Sequence, residues 1–218
     1  KYPLPIVEDA TEALGTTYKG VSAGKFSPLA CFSFNGNKII STGGGGVIVT
    51  DDEALAKHAK HLTTTAKASA EEYYHDEVGY NYRLVNVLAA IGVGQMELLP
   101  SFIKRKKECV AFYKKELTGV ADIRFQQELP AVQTNGWLFT IQTDKQQQLL
   151  DHLNKNKILS RRFWMPMNKL PMYKDCVYVQ KKDNSDYIYN TCLSIPSSTS
   201  ITDEELTIVV DEIKAAIG

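Results

Sequence analysis

The sequence predicts an α/β fold in its first part and an α+β fold in its second. Short apolar runs alternate with helical segments along the chain, which indicates strands and helices packed in layers. The character changes after Gly119, where two strand-like runs precede the next helix. An apolar fraction of 44% is sufficient for a core. The length of 218 residues suits one large domain or two small ones.

In the first part, apolar runs bounded by turn residues predict three strands. These strands are expected at residues 6–9, 30–34 and 47–50. A short helical turn over residues 10–14 should end at Gly15, and a loop containing three glycines follows over residues 16–26. Acidic residues at 51–53 are placed to begin a helix that runs to about Thr63, because negative charge favours a helix N-terminus.

A long helical region follows, and Pro100 divides it. Residues 85–99 are rich in Ala, Leu and Met and predict a buried helix, while residues 101–117 predict a second one. Proline has no backbone N–H and therefore tends to end or kink a helix. The boundary at this proline separates two expected domains, residues 1–99 and residues 100–218.

The second part is expected to contain four strands and two helices. The strands are expected at residues 123–125, 137–141, 158–163 and 192–196. One helix is expected over residues 144–156, with its leucines on the apolar side, and another from Thr202, whose acidic first turn leads to an end near Gly218. Residues 164–173 form a loop rich in aromatic residues, Met and Pro.

Charge and hydropathy give no sign of a nucleic-acid or membrane partner. The formal net charge is zero, so composition provides no electrostatic footprint for nucleic acid or an anionic membrane. We find no run of about 18 apolar residues and expect no membrane-spanning segment. The basic cluster at residues 104–107 is interpreted as a solvated helix face, since no aromatic ladder accompanies it.

Cysteine and histidine spacing indicates neither a disulfide scaffold nor a metal site. The four cysteines are far apart and form no C-x-x-C pair, which fits a reducing, cytoplasmic compartment. His58 and His61 lie three residues apart in a predicted helix, but no carboxylate or cysteine accompanies them as a ligand set. We therefore interpret both as surface residues and expect no metal.

The most informative stretch lies between the second and third predicted strands. It contains the turn sequence Asn-Gly-Asn, then Lys38, then four glycines at 43–46. Glycine permits positive φ and a close approach of the backbone to a ligand. A lysine in such a loop can act as an amine nucleophile that forms a Schiff base with a carbonyl cofactor. The alternative is a solvated loop lysine beside a flexible glycine turn.

Several polar residues lie where open α/β sheets bind ligands. Asp9 ends a predicted strand and Glu12 follows three residues later, although Asp9 could equally be an N-cap. Ser33 precedes Lys38 by five residues and could donate a hydrogen bond to an anion, or it could be an ordinary strand serine. Asn81 and its neighbours could bind phosphate or cap the following helix.

Together, four motifs resemble the DegT/DnrJ/EryC1/StrS family of pyridoxal-phosphate sugar aminotransferases. They are VEDATEALG at 7–15, CFSFNGNK at 31–38, TGGGG at 42–46 and GYNYRL at 79–84. The Asn-Gly-Asn-Lys variant, Glu12 and the loop at 164–173 are similar to one subgroup. Its members aminate UDP-4-keto-6-deoxy-N-acetylhexosamines on the way to bacillosamine and legionaminic acid.

The resemblance implies a role for each matched residue around pyridoxal 5'-phosphate. Lys38 matches the catalytic lysine that forms the Schiff base and moves a proton. Asp9 matches the acid that pairs with the pyridinium nitrogen, which lets the ring accept electrons. Ser33 matches a phosphate ligand. Glu12 matches a position near the ring hydroxyl that also approaches the sugar.

Three further residues are implied at the edges of that site. Asn81 matches an asparagine that reaches the phosphate in the neighbouring subunit's site, so a homodimer is expected. Trp164 and Met165 match the loop that borders the sugar.

The resemblance also implies the fold and the reaction. It predicts the C-terminal part of the type I fold of pyridoxal-phosphate-dependent transferases. Residues 1–99 would be the remainder of the cofactor-binding large domain, and residues 100–218 a small α+β domain led by a long helix. Family members carry a further stretch before the Val-Glu-Asp strand, so this chain is expected to lack an N-terminal part.

The implied reaction moves an amino group, from glutamate, to C4 of a nucleotide-linked 4-keto-6-deoxy sugar. One alternative is a pyridoxal-phosphate-dependent sugar dehydratase. Such relatives replace the lysine with histidine, and Lys38 argues against that reading. The other alternative is a catalytically silent fragment that folds and dimerises.

Overall fold

The structure is a computed structural model that describes residues 4–218 and divides into two compact units. The first unit comprises the described residues up to Ile103 together with Pro130–Trp137. The second comprises Lys104–Leu129 and Leu138–Gly218. Residues 1–3 of the predicted first domain lie outside the described part. The assignment of the domains to cofactor-binding and small-domain roles stays a prediction.

The first unit contains a three-stranded sheet in which Asp9 and Ser33 end adjacent strands. The strands are β1 (Val7–Asp9), β4 (Leu29–Ser33) and β5 (Gly46–Val49), in the order β1-β4-β5. β1 and β4 are parallel, with Asp9 opposite Cys31, so their carboxyl ends lie at one edge. β4 and β5 are antiparallel, with Ser33 opposite Gly46.

A small hairpin occupies the segment that was expected to be a loop. It consists of β2 (Thr17–Tyr18) and β3 (Val21–Ser22), and β7 (Val132–Gln133) pairs with β2 from the other side. Its two turn residues, Lys19 and Gly20, both have positive φ, at 50° and 79°. A turn with two left-handed residues matches the twist of a hairpin. The loop prediction was therefore wrong for residues 17–22.

Local capping explains helix α1 (Glu53–Thr63), which confirms the prediction for this segment. The Asp52 carboxylate accepts hydrogen bonds from the N–H groups of Ala54 and Leu55, at 2.8 and 3.1 Å. Residues 10–14, by contrast, form a turn closed by a hydrogen bond from Ala13 N to Ala10 O rather than a helical segment.

Helix α2 (Asn86–Leu117) runs through Pro100 without a break, so the prediction of two helices was wrong. An interior proline costs a helix about 3 kcal/mol. Two new helix ends would each leave four backbone groups without intrahelical partners. The continuous helix avoids those losses.

The first half of α2 is also more exposed than the sequence predicted. Six apolar side chains in this half of α2, or immediately before it, are between 46% and 71% exposed. They are Val85, Val87, Ile91, Val93, Met96 and Leu98. Length and composition alone would allow α2 to cross a membrane, since an 18-residue window has a mean hydropathy of 1.3. The expectation that no segment spans a membrane stays a prediction, because the length and composition of one helix do not decide it.

The second unit packs helices against a four-stranded antiparallel sheet, as an α+β region. Its strands are β6 (Arg124–Phe125), β8 (Phe139–Gln142), β10 (Cys192–Ile195) and β9 (Arg161–Arg162), in the order β6-β8-β10-β9. Its helices are α3 (Gln146–Lys155), α4 (Asn184–Thr191) and α5 (Asp203–Ile217). Thr202 and Glu205 form a capping box at the start of α5.

The core of this unit lies between the sheet, α3, α5 and the end of α2. Tyr113 stacks on Phe139 with ring centroids 5.1 Å apart, and its hydroxyl donates to Pro196 O at 2.6 Å. Two predictions were inaccurate here. The strand expected at 158–163 is only Arg161–Arg162, and α4 was not predicted. Within the loop at 164–173 lie two short 3₁₀ helices.

Candidate active site

Lys38 lies in a closed loop between β4 and β5. Backbone hydrogen bonds from Phe34 N to Gly45 O at 2.9 Å and from Thr42 N to Phe34 O at 3.0 Å close the base of this loop. Gly45 has φ +88°, and a Cβ there would lie 2.8 Å from Leu84 Cδ1. The Lys38 side chain is only 12% exposed. A freely solvated loop lysine would be far more accessible.

Two groups contact the Lys38 ammonium. Nζ donates a hydrogen bond to Glu12 Oε1 at 3.1 Å, and it lies 4.0 Å from the centroid of the Trp137 ring. The carboxylate and the electron-rich face of an indole both attract a cation. The structure thus brings together Lys38 and Glu12, both predicted, with Trp137, which sequence reasoning missed as a site residue.

Asp9 lies at the same edge as the lysine loop, where β1 ends. Its Oδ1 accepts a hydrogen bond from Thr11 N at 3.2 Å. Hydrogen bonds from the hydroxyl and the backbone N–H of Thr11 lower the pKa of Asp9, and the charge of Lys38 lowers it further. Asp9 is therefore an ionised carboxylate at neutral pH, which is the form needed to hold a proton on a ring nitrogen.

Ser33 also lies at this edge, because it ends β4. Its Oγ accepts a hydrogen bond from Asn35 N at 3.2 Å, which places the hydroxyl at the start of the lysine loop. This position suits the predicted phosphate contact, which stays a prediction.

Asn81 lies in a different part of the first unit. Its segment pairs with the end of α1, with hydrogen bonds from Tyr80 N to Leu62 O at 2.7 Å and from Tyr82 N to Thr63 O at 3.0 Å. Among residues 4–218, no hydrogen bond joins the Asn81 side chain to Asp9, Ser33 or Lys38. The implied role of Asn81 across a subunit boundary stays a prediction.

Trp164 and Met165 belong to the second unit, where both side chains are exposed. Trp164 packs edge-on against Phe163, with ring centroids 4.5 Å apart. Their predicted contact with the sugar stays a prediction.

Asn135 and Trp137 connect the two loops that carry the site. The buried Asn135 side chain donates to Glu12 O at 2.8 Å and to Leu14 O at 3.0 Å. Its Oδ1 accepts from Trp137 N at 2.9 Å, and Trp137 Nε1 donates to Asn37 O at 2.7 Å. Only the polar turn Thr-Asn-Gly-Trp before β8 marks these residues in the sequence, and nothing in it indicates their distant partners.

The histidines of α1 have carboxylate neighbours that their sequence spacing did not reveal. His61 Nε2 donates to Asp76 Oδ1 at 2.6 Å, and His58 Nε2 lies 3.5 Å from Glu77 Oε2. The ligand atoms of His61, Asp76 and Glu77 lie within 4.8 Å of one another, which is a spacing compatible with a metal ion. Hydrogen bonds and ion pairs with the loop already account for these contacts.

The donor set at the sheet edge fits pyridoxal 5'-phosphate. The aldehyde of this cofactor forms a Schiff base with an amine, and the nearly buried Lys38 side chain supplies one. The pyridine nitrogen of the cofactor keeps its proton when an ionised carboxylate lies beside it, and Asp9 is such a carboxylate. The carboxyl ends of parallel strands are where open α/β sheets bind ligands, and β1 and β4 end together here.

Comparison with known proteins agrees with this geometry. The profile of the DegT/DnrJ/EryC1/StrS aminotransferase family matches residues 1–214. The chain belongs to this family. Its relatives include a protein named as a pyridoxal phosphate-dependent aminotransferase and a sugar aminotransferase solved in its PLP form, which confirms the resemblance and the expected cofactor.

Two curated relatives and one solved structure illustrate the similarity. The chain is 34% identical to EpsN of Bacillus subtilis (strain 168), whose name describes a pyridoxal phosphate-dependent aminotransferase, over 96% of this chain and 56% of EpsN. It is 34% identical to the GDP-perosamine synthase of Escherichia coli O157:H7, over 96% of this chain and 57% of that protein. DesV of S. venezuelae superposes with a TM-score of 0.88 at 27% identity, over 97% and 57% of the two chains.

The chain therefore spans just over half the length of the relatives it matches. The structural match confirms a partial type I fold.

Proposed function

We propose that this chain carries the lysine-bearing part of a pyridoxal-phosphate-dependent sugar aminotransferase. The proposed reaction moves an amino group from glutamate to C4 of a nucleotide-linked 4-keto-6-deoxy sugar. The observation that supports it most directly is the sheltered Lys38 ammonium, held by Glu12 and Trp137 at the edge where Asp9 ends its strand.

Each residue has a role that follows from its chemistry. When bound, pyridoxal 5'-phosphate supplies an aldehyde that condenses with amines and a ring that accepts electrons. Lys38 Nζ is the amine, and once free it accepts and returns a proton at the substrate carbon. Asp9 keeps a proton on the ring nitrogen through its negative charge. Glu12 Oε1 holds Nζ in place by accepting its hydrogen bond.

The nucleotide of the sugar has two candidates. The proposal of a UDP-linked N-acetylhexosamine is based on Glu12, the Asn-Gly-Asn-Lys variant and the loop at 164–173. The proposal of a GDP-linked sugar is based on the 34% sequence identity with a GDP-perosamine synthase. We propose the UDP sugar first, because Glu12, one of the features that favour it, contacts the Lys38 ammonium directly.

We further propose a cytoplasmic homodimer. The exposed apolar side chains on the first half of α2 support an assembly, since monomeric proteins rarely leave such a surface uncovered. The four cysteines are free in the structure, which suits a reducing compartment.

An absorption spectrum of this chain with excess pyridoxal 5'-phosphate tests the cofactor site. We expect a yellow Schiff-base band that borohydride bleaches and that Lys38→Ala abolishes. Lys57→Ala is the matched control, because Lys57 is exposed and pairs with Glu53 on the same helix, α1. The spectrum is read after unbound cofactor has been removed by gel filtration, because free pyridoxal 5'-phosphate is itself yellow. A wild-type protein that is colourless after this step would contradict the proposal and favour the silent alternative.

Incubation with glutamate and either UDP- or GDP-linked 4-keto sugar then tests the substrate. The expected product is a 4-amino sugar from the UDP-linked compound, detected by mass spectrometry. Turnover of the GDP-linked compound alone would replace the first candidate with the second.

A further inference from the structure

Trp137 contacts Lys38 more closely than the aromatic partners of Lys67 and Lys19 contact those two lysines in the described part of the chain. Lys38 Nζ is 4.0 Å from the Trp137 ring centroid, whereas Lys67 is 4.6 Å from Tyr73 and Lys19 is 5.3 Å from Tyr18. Tryptophan also has the most favourable ring for a cation. The low exposure of the lysine side chain strengthens the attraction, because less water screens it.

The orientation of this ring is determined at two points. Trp137 N donates to Asn135 Oδ1 at 2.9 Å, and Nε1 donates to Asn37 O at 2.7 Å. The carbonyl of Asn37 belongs to the peptide bond that leads into Lys38. The same side chain therefore contacts the lysine at its backbone and at its ammonium.

Lysine has a flexible four-carbon stem, so a free amine samples many positions unless contacts restrict it. Glu12 restricts Nζ from one direction through a hydrogen bond. Trp137 restricts it from another through the ring face. Glu12 is itself held, because Asn135 donates to its carbonyl.

We propose that Trp137 is a positioning residue for Lys38. Its indole face keeps the amine beside Glu12 whenever that amine is not joined to the cofactor, and its N–H anchors the peptide before the lysine. This inference deepens the proposed function and rests on it for its catalytic meaning. The geometric part can be tested without the cofactor.

The first experiment uses reductive ¹³C-methylation of the lysines, which keeps each amine cationic. Methyl groups above an aromatic face resonate upfield, so we expect one shifted signal that Lys38→Met removes. Trp137→Leu should move that signal back to the position of exposed lysines. Trp137→Phe should keep an upfield shift, because it retains an aromatic face.

The Leu and Phe variants form a matched pair. Both variants lose the hydrogen bond from Nε1 to Asn37 O. A difference between their methyl chemical shifts therefore reports the aromatic ring face and not the loss of this hydrogen bond. Trp164→Phe, at the other tryptophan of the chain, is the control and should leave the signal unchanged. An unshifted Lys38 signal in the wild-type chain would overturn the inference.

The second experiment measures the dissociation constant of pyridoxal 5'-phosphate by absorbance. We expect Trp137→Leu to bind the cofactor roughly two- to fivefold more tightly than Trp137→Phe, because the cation–π contact of the ring with the free ammonium is lost when that amine joins the cofactor. Equal affinities of the two variants would overturn the positioning role. A wild-type chain that binds no cofactor would instead contradict the proposed function, while the methyl signal still decides the position of Trp137.

Discussion

Asn135 donates a hydrogen bond from its side-chain amide to the main-chain carbonyl of Glu12 at 2.8 Å, although 123 residues separate the two. The same amide also reaches Leu14 O, and Thr16 Oγ1 accepts from Asn135 N at 3.1 Å. One buried side chain thus organises the turn that carries Glu12. The carboxylate that pairs with Lys38 depends on this contact for its position.

Replacement of Asn135 should destabilise the first unit. Asn135→Ala leaves the carbonyls of Glu12 and Leu14 without their donor, and a buried unpaired group costs about 1–3 kcal/mol. We expect the free energy of unfolding in urea to fall by about 2 kcal/mol or more. Asn190→Ala, on the exposed side of α4, is the control and should change it by less than about 0.5 kcal/mol. Equal effects of the two variants would contradict the role of Asn135.

Gly46 and Gly44, both in the glycine run after Lys38, differ in the room that they leave for a side chain. A Cβ at Gly46 would lie 2.4 Å from the backbone oxygen of Phe32, whereas a Cβ at Gly44 meets nothing within 4 Å. Gly46→Ala must therefore push β5 away from β4. We expect it to lower the free energy of unfolding by about 1–3 kcal/mol, and Gly44→Ala to change it little. A tolerated Gly46→Ala would show that the strands can separate here without loss.

Lys106 gives the second unit a distinct pH dependence. Its ammonium donates to the carbonyl and the hydroxyl of Ser197, and burial lowers the pKa of Lys106 to about 8, from 10.5. Between these values the unfolded chain binds more protons than the folded one, so the lysine makes stability rise with pH. Below about pH 8 both states are protonated and its contribution is constant.

The measurement compares wild type with Lys106→Met in urea from about pH 7 to pH 10.5. We expect the difference in unfolding free energy to shift in favour of the wild type by up to about 3 kcal/mol. The difference removes the contribution of Tyr113, whose pKa burial raises. Burial also raises the pKa of Cys109 and the charge of Lys106 lowers it, so this thiol contributes to the measured difference. Lys107→Met, at the adjacent exposed position, is the control, and its unfolding free energy should change with pH in parallel with that of the wild type. A pH-independent difference for Lys106→Met would refute the assignment.

The segment that carries Asn81 should loosen in acid. A hydrogen bond from His61 lowers the pKa of Asp76, so this contact stabilises the folded state above the usual carboxyl pKa. The stabilisation is lost as the pH falls through the lowered value. We expect lower protection of the amides of Tyr80 and Tyr82 in that range, measured as hydrogen-exchange rates relative to the intrinsic rate at each pH.

Asp76→Asn should show this lower protection of Tyr80 and Tyr82 already at neutral pH, with little further change of the protection factor in acid. Glu77→Gln is the matched control, since its partner His58 lies 3.5 Å away. Identical acid responses in the wild type and Asp76→Asn would exclude this contact as the cause.

The sequence by itself determined the features that depend on neighbouring residues. The Asn-Gly-Asn turn, Lys38 and the glycines predicted the lysine loop, and the acid at the end of a strand predicted the position of Asp9. Helix α1 was recognisable from its acidic start, because a cap acts within one turn of the chain.

Only the tertiary structure decided what depends on distant contacts. Trp137 lies 100 residues from Asn37, and no local pattern encodes a partner so far along the chain. The continuity of α2 through Pro100 also escaped prediction, since one lost hydrogen bond costs less than two new helix ends. Local propensities act over a few residues, whereas the ring beside Lys38 depends on a chain segment that returns to the first unit by folding.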